Sequence, residues 1–362
     1  MRIALFTVSL EVGGAERVFV TLANGFAARG HETQVALVKP EGALREELRP
    51  AVRIVDLRTY RIGRTVLPLA RYLRRERPDA MLSTLSQPNL AALLARRLAR
   101  VSTRIVLREA NTPTREFGNA VKLKDRVVPA LIARLYREAD AIVAVSKGVQ
   151  ADLMRLTRLP QARIPCIYNP VITHELLQRR EEPVEHPWFT AGAPPVVLAV
   201  GRLTAQKDFP TLLRAFAAVR QQMDARLLIL GEGEQRAELT QLAEQLGVAQ
   251  DVQLPGYEPN PFRYMRRASL FVLSSRYEGL PNALIQAMAC GCPVVATDCP
   301  SGPREILADG KYGALVPVGD GGALADAIIQ GLQGRIPPAP PEWLQQFEES
   351  HIIGQYLRVL EG

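Results

Sequence analysis

Residues 274–307 read SSRYEGLPNALIQAMACGCPVVATDCPSGPREIL, and this stretch alternates strand, turn and helix signals. The apolar run LFVLSS (270–275) leads into it, and Pro281 suits the first position of the helix that follows. Gly291 is expected to stop that helix, and PVVAT (293–297) has the composition of the next strand. A strand, a helix and a second strand of this size predict a parallel β-α-β unit.

The same alternation of short apolar runs and helical patterns continues in both directions. Strands buried on both faces, with helices as crossovers, predict doubly wound parallel sheets. The pattern breaks at LQRREEPVEHPWFTAGAPP (177–195), which has the charged and proline-rich composition of a linker. The runs are RIALFTV (2–8), TQVALV (33–38), VRIVDL (52–57), AMLSTL (80–85), RIVLRE (104–109) and AIVAVS (141–146) before it, and PVVLAV (195–200), RLLILG (226–231), VQLPG (252–256), LFVLSS (270–275), PVVAT (293–297) and GALVPV (313–318) after it.

These runs predict two Rossmann-like α/β domains in tandem, which suits a length of 362 residues. The first domain is expected over residues 1–172 and the second over residues 173–340. Residues 341–362 are expected to form one C-terminal helix that packs back on the first domain. Because ligands bind beyond the carboxyl ends of parallel strands, two such domains facing each other would enclose a cleft between them.

Composition excludes several classes of protein. With 47% hydrophobic and 23% charged residues, the chain is globular rather than disordered, and no apolar stretch approaches the roughly 20 residues of a membrane helix. The start MRIALFTVSLEVGGAERV lacks the pattern of a signal peptide, so we expect a cytoplasmic protein. Four cysteines lack a zinc-binding spacing and are expected to be reduced, packed thiols: Cys166, Cys290, Cys292 and Cys299.

Charge is distributed unevenly along the chain. Residues 1–170 hold 29 Lys and Arg against 15 Asp and Glu, a net of +14, and residues 171–362 hold 16 against 22, a net of −6, which together give +8. A basic first half is typical of proteins that meet a membrane surface, a lipid phosphate or a nucleic acid. Solvated arginines scattered over amphipathic helices would give the same excess, so charge alone leaves these alternatives open.

Glu278 and the helix after it could bind a phosphorylated sugar. Amides at a helix N-terminus attract phosphate, and Glu278 beside them can accept hydrogen bonds from sugar hydroxyls. Gln286, two turns further along, could reach a ribose, and the loop SGPREI (301–306), which contains Glu305, could approach the same ligand. The phosphate cradle would comprise Gly279, Leu280, Pro281, Asn282 and Ala283.

Two further strand ends carry candidate residues. In VGRLTAQKDFP (200–210), Gly201 precedes Arg202 and Lys207, whose cations could hold a diphosphate without a metal, although cations are also common in exposed loops. In EVGGAERV (11–18), Gly13 and Gly14 would let the backbone approach an anion at a helix N-terminus. The same glycines would also serve a tight strand-to-helix turn with no ligand.

Two other enzyme classes fit the residues poorly. Gly231 and Gly233 follow a strand, but the third glycine of a dinucleotide motif is missing and the neighbouring glutamates would repel a pyrophosphate, which disfavours a nicotinamide-dependent dehydrogenase. A nucleotide-sugar epimerase would share the architecture and would need a catalytic histidine. None of the four histidines lies at a predicted strand end: His31, His174, His186 and His351.

Taken together, the segment 274–307 resembles the signature of retaining GT-B glycosyltransferases of the family 4 type, which include bacterial polysaccharide and glycolipid enzymes. Their hallmark is a Glu, seven residues and a second Glu within an EGL…EAMACG.PVVA context. The resemblance covers residues 1 to about 318. Its collinear matches are GGAERV (13–18), RGHE (29–32), VSKGV (145–149), IYNPV (167–171), VGRLTAQKD (200–208) and LGEGEQR (230–236).

The resemblance implies a role for each matching position. Glu278 would hold hydroxyls of the donor sugar, while Arg202 and Lys207 would bind the diphosphate and stabilise its leaving charge. Gln286 would bind the ribose. The other donor-side positions would be the amides of Leu280, Asn282 and Ala283, Gly13 and Gly14 from the other domain, and Glu305 near the nucleotide.

Two positions depart from the family pattern. Gln286 stands where the second Glu is found, and an amide offers one acceptor and one donor where a carboxylate accepts from both ribose hydroxyls. Many relatives also carry a histidine in the loop that here reads LREANTP (107–113). With no histidine there, Glu109 and Asn111 are the candidates for an acceptor-side residue.

The expected reaction is transfer of a hexose or N-acetylhexosamine from a nucleotide sugar to a glycan or polyprenyl-diphosphate-linked acceptor, with retention. Preorganised cations and helix amides would neutralise the departing diphosphate, so neither a metal nor another cofactor is expected. A UDP-sugar is the favoured donor and GDP-mannose the alternative. The basic first half fits peripheral contact with an anionic membrane, and no nucleic acid partner is expected. A binding protein that has lost catalysis, with Gln286 as the trace of that loss, is the non-enzyme alternative.

Overall fold

A computed structural model describes residues 1–116 and 127–362 of the protein. The chain forms two compact units. Unit 1 comprises Met1–Pro170 together with Gln346–Gly362, and unit 2 comprises Val171–Gln345. The chain therefore leaves unit 1 at residue 170 and returns to it for its last 17 residues.

Unit 1 is built on a six-stranded parallel sheet with the strand order β3-β2-β1-β4-β5-β6. Because the order reverses between β1 and β4, the carboxyl ends of these two adjacent strands form a topological switch point. The strands are β1 (Arg2–Thr7), β2 (Glu32–Leu37), β3 (Val52–Asp56), β4 (Ala80–Thr84), β5 (Arg104–Glu109) and β6 (Ala141–Ala144). The helices are α1 (Gly14–Ala28), α2 (Val66–Glu76), α3 (Ser86–Ala99), α4 (Pro113–Glu116), α5 (Val128–Leu135) and α6 (Lys147–Thr157).

Unit 2 repeats this plan with the strand order β12-β11-β10-β7-β8-β9, and its switch point lies between β7 and β10. The strands are β7 (Val196–Val200), β8 (Arg226–Leu230), β9 (Val252–Gly256), β10 (Leu270–Leu273), β11 (Val294–Thr297) and β12 (Ala314–Val316). The helices are α7 (His174–Arg179), α8 (Phe209–Arg220), α9 (Arg236–Gln245), α10 (Pro261–Arg267), α11 (Asn282–Ala289), α12 (Pro303–Ile306), α13 (Gly321–Leu332) and α14 (Pro341–Leu344); α15 (Glu349–Glu361) belongs to unit 1.

Each predicted apolar run forms a strand, and the predicted α/β class with two doubly wound parallel sheets is confirmed. The inner strands are almost entirely buried, as β1 shows from Ile3 to Thr7, whereas the edge strands β3, β9 and β12 are only partly buried. Helices cover both faces of a sheet in this arrangement, so alternate positions need no polar side chain. The sequence pattern succeeded because burial on both sides leaves an unbroken apolar run.

The C-terminal helix completes the core of unit 1. Ile352, Ile353, Tyr356 and Leu360 are buried in the same apolar cluster as the inner face of α1. The helices approach closely at Gly25, where a Cβ atom would lie 1.9 Å from Cδ1 of Ile353. A glycine inside a helix is destabilising, so this one is explained by the contact that it permits.

The prediction of a single helix over residues 341–362 is wrong, because two helices form instead. Helix α14 stays in unit 2, where the Trp343 indole donates to the Ile306 carbonyl at 2.8 Å. A 3-10 turn at Gln345–Phe347 then breaks the helix. The ring of Phe347 is buried in unit 1 with its centroid 5.1 Å from that of Tyr168. Where the chain passes from unit 2 to unit 1, Trp343 is therefore held in unit 2 and Phe347 in unit 1.

The segment 177–195, expected to be a linker, is packed against unit 2 instead. The Arg180 guanidinium donates to the Ala289 carbonyl at 2.7 Å, and the His186 ring makes a 2.9 Å hydrogen bond with Gln253. Edge-to-face contacts join His186 to Trp188, Phe189 and Tyr264. Proline and charge suggested a linker, but the aromatic side chains among them supply enough apolar area to hold the segment in place.

None of the helices in the part of the chain that the structure describes combines the length and the apolar character needed to cross a bilayer.

The Gly25 contact gives a test of how α15 is held. We expect Gly25→Val to loosen α15, because overpacking a tight core contact costs about 1–3 kcal/mol. Hydrogen–deuterium exchange followed by mass spectrometry should then show faster exchange across residues 349–361. Combining it with Ile353→Ala should restore part of the protection, since that change removes the atoms that clash. Gly63→Val is the matched control, because a Cβ there meets no atom within 4 Å. Unchanged protection in Gly25→Val would contradict the packing.

The cysteines give a second test. Burial raises the pKa of Cys290 to about 12, and burial with the Glu278 carboxylate nearby raises the pKa of Cys299 to about 12. Cys292 is buried with a raised pKa, so these three are the packed thiols that the sequence predicted, while Cys166 is half-buried.

We expect a disulfide-exchange reagent at about pH 8 to modify Cys166 and to leave the other three until the protein is denatured, because only about one in 10⁴ thiols with such a pKa is ionised. Peptide mass spectrometry identifies the labelled residue, and Cys166→Ser should abolish native labelling. Rapid native labelling of Cys299 would contradict its burial.

Candidate active site

The loop after β7 is fixed by the loop after β8. The Gly201 amide donates to the Leu230 carbonyl at 3.0 Å, and the Leu203 amide donates to the Glu232 carbonyl at 2.8 Å. A Cβ at Gly231, whose φ is +146°, would lie only 2.0 Å from the Gly201 oxygen. The Gly-x-Gly pattern that suggested a dinucleotide site is thus accounted for by close packing of two backbone loops.

An ion pair between a buried glutamate and a partly buried lysine joins the carboxyl ends of β7 and β10. Nζ of Lys207 lies 2.6 Å from Oε1 of Glu278, and the two side chains are only 17% and 8% exposed. The Ser275 hydroxyl donates to the same carboxylate oxygen at 2.6 Å. Because β7 and β10 are the strands at the switch point, these residues occupy the place where α/β sheets bind ligands. The structure therefore brings together two of the three residues that the sequence singled out as catalytic.

Further contacts tie the two loops together around this pair. The Ser274 hydroxyl donates to the Lys207 carbonyl at 2.7 Å, and the Gln206 amide group donates to the Tyr277 carbonyl at 2.9 Å. The Arg276 guanidinium lies 3.1 Å from the carboxylate of Asp208, which is buried and left-handed at φ +50°. The sequence alone did not reveal these contacts, because each joins residues about 70 positions apart. The one local indication was the pair Ser274 and Ser275, two polar residues at the end of an otherwise apolar run.

Arg202, the third predicted catalytic residue, lies in the same β7 loop and is exposed. Its carbonyl accepts from the Thr204 amide at 2.9 Å, which closes a tight turn. The position of the Arg202 side chain is therefore set by this turn, and packing against neighbouring residues contributes little. The structure thus provides one rigid cation at Lys207 and one accessible cation at Arg202.

The start of α11 follows Glu278 directly. The helix begins at Asn282, one residue later than expected, because Pro281 has the extended ψ of 94° and serves as the N-cap. Gly279 and Leu280 are buried, whereas Asn282 and Ala283 are half-buried. No side chain caps this helix start, so its amides and its dipole remain the feature that would attract a phosphate.

The SGPREI loop packs on the turn before α11. The Ser301 hydroxyl donates to the Gly279 carbonyl at 2.8 Å, and Gly302 has a left-handed φ of +95°. A Cβ at Gly302 would lie 2.4 Å from Cδ of Pro281, so a larger residue would push the two turns apart. Glu305 and Gln286 are both half-buried, on α12 and on the second turn of α11. Their predicted contacts with a nucleotide stay predictions.

In unit 1, Gly13 and Gly14 mark the start of α1, as predicted. Gly13 is the N-cap, and a Cβ there would lie 2.2 Å from Oε2 of Glu16. Glu16 therefore folds back over the first turn, in the manner of a glutamate at the third position of a capping box. This carboxylate is absent from the residues predicted above, although a Glu three residues after an N-cap position is a recognised signal.

Glu109, a predicted acceptor-side residue, lies in the interior of unit 1. Its carboxylate accepts hydrogen bonds from Asn89 at 2.9 Å, from Ser86 at 3.2 Å and from the Tyr136 hydroxyl. Burial and then the Glu109 charge raise the pKa of Tyr136 well above its usual value, so the phenol remains a donor. Only 1% of Glu109 is exposed, which favours a role in holding the β4 and β5 ends. Asn111, half-buried in the loop, is the more accessible candidate.

Unit 1 also contains an open cavity of about 680 Å³ at the start of α6. The side chain of Gln150, one of its lining residues, donates to the Ile164 carbonyl at 2.6 Å. The lining residues are Lys147, Gln150, Gln161, Ala162, Pro165 and Cys166.

Across the residues that the structure describes, no group of three or more His, Cys, Asp or Glu side chains is arranged to hold a metal ion.

The chain matches two family profiles that divide it between the two units. Residues 12–175 match Glycosyltransferase Family 4, and residues 194–334 match Glycosyl transferases group 1. A search of solved structures found HepE from Anabaena in complex with UDP-glucose, with a TM-score of 0.80 and 21% identity, which covers 100% of this chain and 99% of that chain. This likeness shows that the fold is GT-B.

Two curated bacterial relatives cover nearly the whole chain. The Campylobacter jejuni N-acetylgalactosamine-N,N'-diacetylbacillosaminyl-diphospho-undecaprenol 4-alpha-N-acetylgalactosaminyltransferase is 31% identical over 341 residues, which are 92% of this chain and 89% of that protein. The lipopolysaccharide core biosynthesis glycosyltransferase LpsE of Rhizobium meliloti is 30% identical over 358 residues, 96% of each protein. The predicted resemblance is confirmed: the chain belongs to the GT-B glycosyltransferases of family 4 and is an enzyme that transfers sugars.

Proposed function

We propose that this enzyme transfers a hexose or N-acetylhexosamine from a UDP-sugar, with retention and without a metal ion, to a glycan carried on a polyprenyl diphosphate. The observation that carries the proposal is the buried Lys207–Glu278 pair at the switch point of unit 2, with a distance of 2.6 Å between Nζ and Oε1. An ammonium group has three donor protons, so a lysine held by one carboxylate can still donate to a phosphate.

Charge stabilisation follows from this arrangement. As the bond between the sugar and the diphosphate breaks, negative charge grows on the departing phosphate oxygens. Lys207 is already oriented by Glu278, so little reorganisation is required when that charge appears. Arg202 would add a planar guanidinium, which suits phosphate oxygens, and the uncapped start of α11 would add amide donors.

The proton balance requires no side-chain base. The acceptor oxygen bonds to the anomeric carbon on the face that the diphosphate leaves, and the acceptor proton passes to the departing phosphate oxygen. Glu278 is engaged with Lys207 and Ser275, and the raised pKa of Cys299 keeps that thiol protonated. These features support transfer in which the enzyme binds and orients groups rather than forming a covalent intermediate through Cys299.

The names of similar proteins support the choice of donor and acceptor. The Campylobacter relative is named for transfer of N-acetylgalactosamine to a diphospho-undecaprenol glycan, and HepE was solved with UDP-glucose. A lipid-linked acceptor implies work at the cytoplasmic face of a membrane with peripheral contact, which the basic residues of unit 1 would favour.

Replacing the pair tests the mechanism. We expect Lys207→Met to lower kcat by about 10²–10³, the usual loss when one preorganised donor to the transition state is removed. Glu278→Gln should show a similar loss, because Lys207 is no longer held and the contact with the sugar weakens. The double variant should lose little more than either single variant, since the residues act as a unit. Transfer and donor hydrolysis are measured by mass spectrometry across a set of UDP-sugars.

Lys311→Met is the matched control, because Lys311 is an exposed lysine of unit 2 whose Nζ lies 5.1 Å from the centroid of the Tyr312 ring. Circular dichroism melting identifies any variant that fails to fold, since breaking a buried pair also costs about 3–5 kcal/mol of stability. Full activity in a folded Lys207→Met variant would contradict the proposal, as would activity that EDTA abolishes and magnesium or manganese restores.

The nucleotide base is tested separately. In saturation-transfer NMR with UDP, GDP and ADP together, we expect UDP to show the strongest contact. Gln286→Glu should tighten UDP binding about fivefold, because a carboxylate accepts from both ribose hydroxyls and one such hydrogen bond is worth about 1 kcal/mol. Strongest saturation of GDP would point to GDP-mannose as the donor, and unchanged or weaker UDP binding in Gln286→Glu would remove Gln286 from the ribose.

A further inference from the structure

One side of unit 1 exposes large apolar side chains on three neighbouring helices. Single exposed leucines are ordinary, whereas a group on one surface indicates an interaction site. Of the large apolar side chains exposed in the part of the chain that the structure describes, five lie on α2, on α3, or at the start of α5. We call this surface the Leu–Arg face. Its apolar side chains are between 39% and 51% exposed: Leu67, Leu94, Leu98, Val127 and Leu131.

The three helices lie side by side. The guanidinium of Arg74 on α2 donates to the carbonyls of Leu98 and Ala99 at the end of α3, at 2.7 and 3.1 Å. Arg97 on α3 lies 4.0 Å from Glu138, just after α5. Right-handed crossovers from β3 to β4 to β5 to β6 put these helices on one side of the sheet, opposite α1. The five apolar side chains therefore share one surface.

The same helices and the turns beside them are strongly basic. Residues 61–77, 86–100 and 127–138 contain eleven arginines and two glutamates, a net of +9. Among the described residues, Arg75 pairs with Glu76 at 2.9 Å and Arg97 pairs with Glu138 at 4.0 Å. Arg64 just before α2, Arg71 on α2 and Arg134 on α5 are exposed as well, so cations and apolar side chains occur together on these helices.

We propose that the Leu–Arg face docks on an anionic lipid bilayer, with the aliphatic side chains entering the headgroup–acyl boundary and the arginines binding lipid phosphates. This combination of an apolar stripe and a basic rim is what holds a protein at a membrane surface without a spanning segment. The inference rests on the proposed function in one respect, because a polyprenyl-linked acceptor would be found at that surface.

The composition of the face favours lipid over other occupants. A second copy of this chain would bring two faces of net charge +9 together, and their repulsion would oppose a symmetric dimer. A single-stranded nucleic acid would use aromatic rings for stacking, and the exposed apolar groups here are aliphatic. A lipid bilayer suits both the leucines and the arginines of the face. Acyl chains pack against leucine side chains, and lipid phosphates accept hydrogen bonds from arginine.

Vesicle flotation tests the proposal without donor or acceptor present, so its result is independent of catalysis. The full chain is mixed with vesicles of phosphatidylcholine alone, or with about one-third phosphatidylglycerol, in about 0.1 M and about 0.5 M salt. We expect binding to the anionic vesicles only, weakened by salt. The triple variant Leu67→Ser, Leu94→Ser, Leu131→Ser should lower binding by about tenfold or more. Arg64→Gln with Arg71→Gln and Arg134→Gln should abolish the preference for anionic lipid.

The matched control is Leu177→Ser with Tyr257→Ser and Val318→Ser, which removes comparable exposed apolar groups from unit 2 and should leave binding unchanged. Melting curves, and transfer to a short-chain water-soluble acceptor, should be the same for the wild type and for both apolar triple variants.

Wild-type protein that ignores anionic vesicles, or a leucine triple variant that floats as well as the wild type, would overturn the proposal. So would a dimer in analytical ultracentrifugation that the leucine variant abolishes, or RNA binding that displaces the vesicles and survives the leucine changes. Failure of flotation with normal transfer to the soluble acceptor would reject the membrane face alone. Normal flotation without any transfer would reject the proposed function alone.

Discussion

The ion pair between Lys207 and Glu278 is the constraint around which unit 2 is arranged. Removing two charges from water costs several kcal/mol, and a well-packed apolar pair of similar size would often be at least as stable. The structure keeps the charges and surrounds them with hydrogen bonds from Ser275 to the carboxylate and from Ser274 to the lysine backbone. Such an arrangement costs stability at the place where ligands bind, which is typical of residues retained for chemistry.

The pair can form only because of the order in which the strands lie. Lys207 follows β7 and Glu278 follows β10, and these strands are neighbours although about 70 residues separate them. Close turns then complete the arrangement. Gly231 lets the β8 loop lie against the β7 loop, and Gly302 lets the SGPREI turn lie against Pro281. The site is therefore a product of backbone topology and two glycines as much as of its charged residues.

Much of the fold could be predicted from the sequence, because strands covered on both faces produce continuous apolar runs. The twelve predicted strands are all present, and the predicted bounds differ from the observed ones only near the strand ends. Ser274 and Ser275, for example, were predicted in β10 but lie beyond it and donate hydrogen bonds in the site. The types of residue in the site were also predictable, since Glu278, Lys207 and the helix start occur at strand ends.

Contacts between distant residues could not be predicted in this way. Nothing in the local pattern shows that Asp208 meets Arg276 or that Glu109 is buried under Tyr136. The linker prediction for segment 177–195 failed for a related reason. Composition reports average polarity, whereas the packing of this segment depends on the partners that its aromatic rings contact. Periodicity describes one element at a time, and these features depend on how elements are placed together.

The return of the chain to unit 1 for residues 346–362 has a consequence for biosynthesis. On the ribosome, the first 170 residues emerge without the helix that supplies Ile353, Tyr356 and Leu360 to their core, whereas unit 2 is complete as soon as residue 345 has left the exit tunnel. Domains generally fold in the order of synthesis, but here the later domain has all its parts first. The nascent N-terminal lobe therefore keeps apolar surface open to chaperones until residues 346–362 have followed unit 2 out of the exit tunnel.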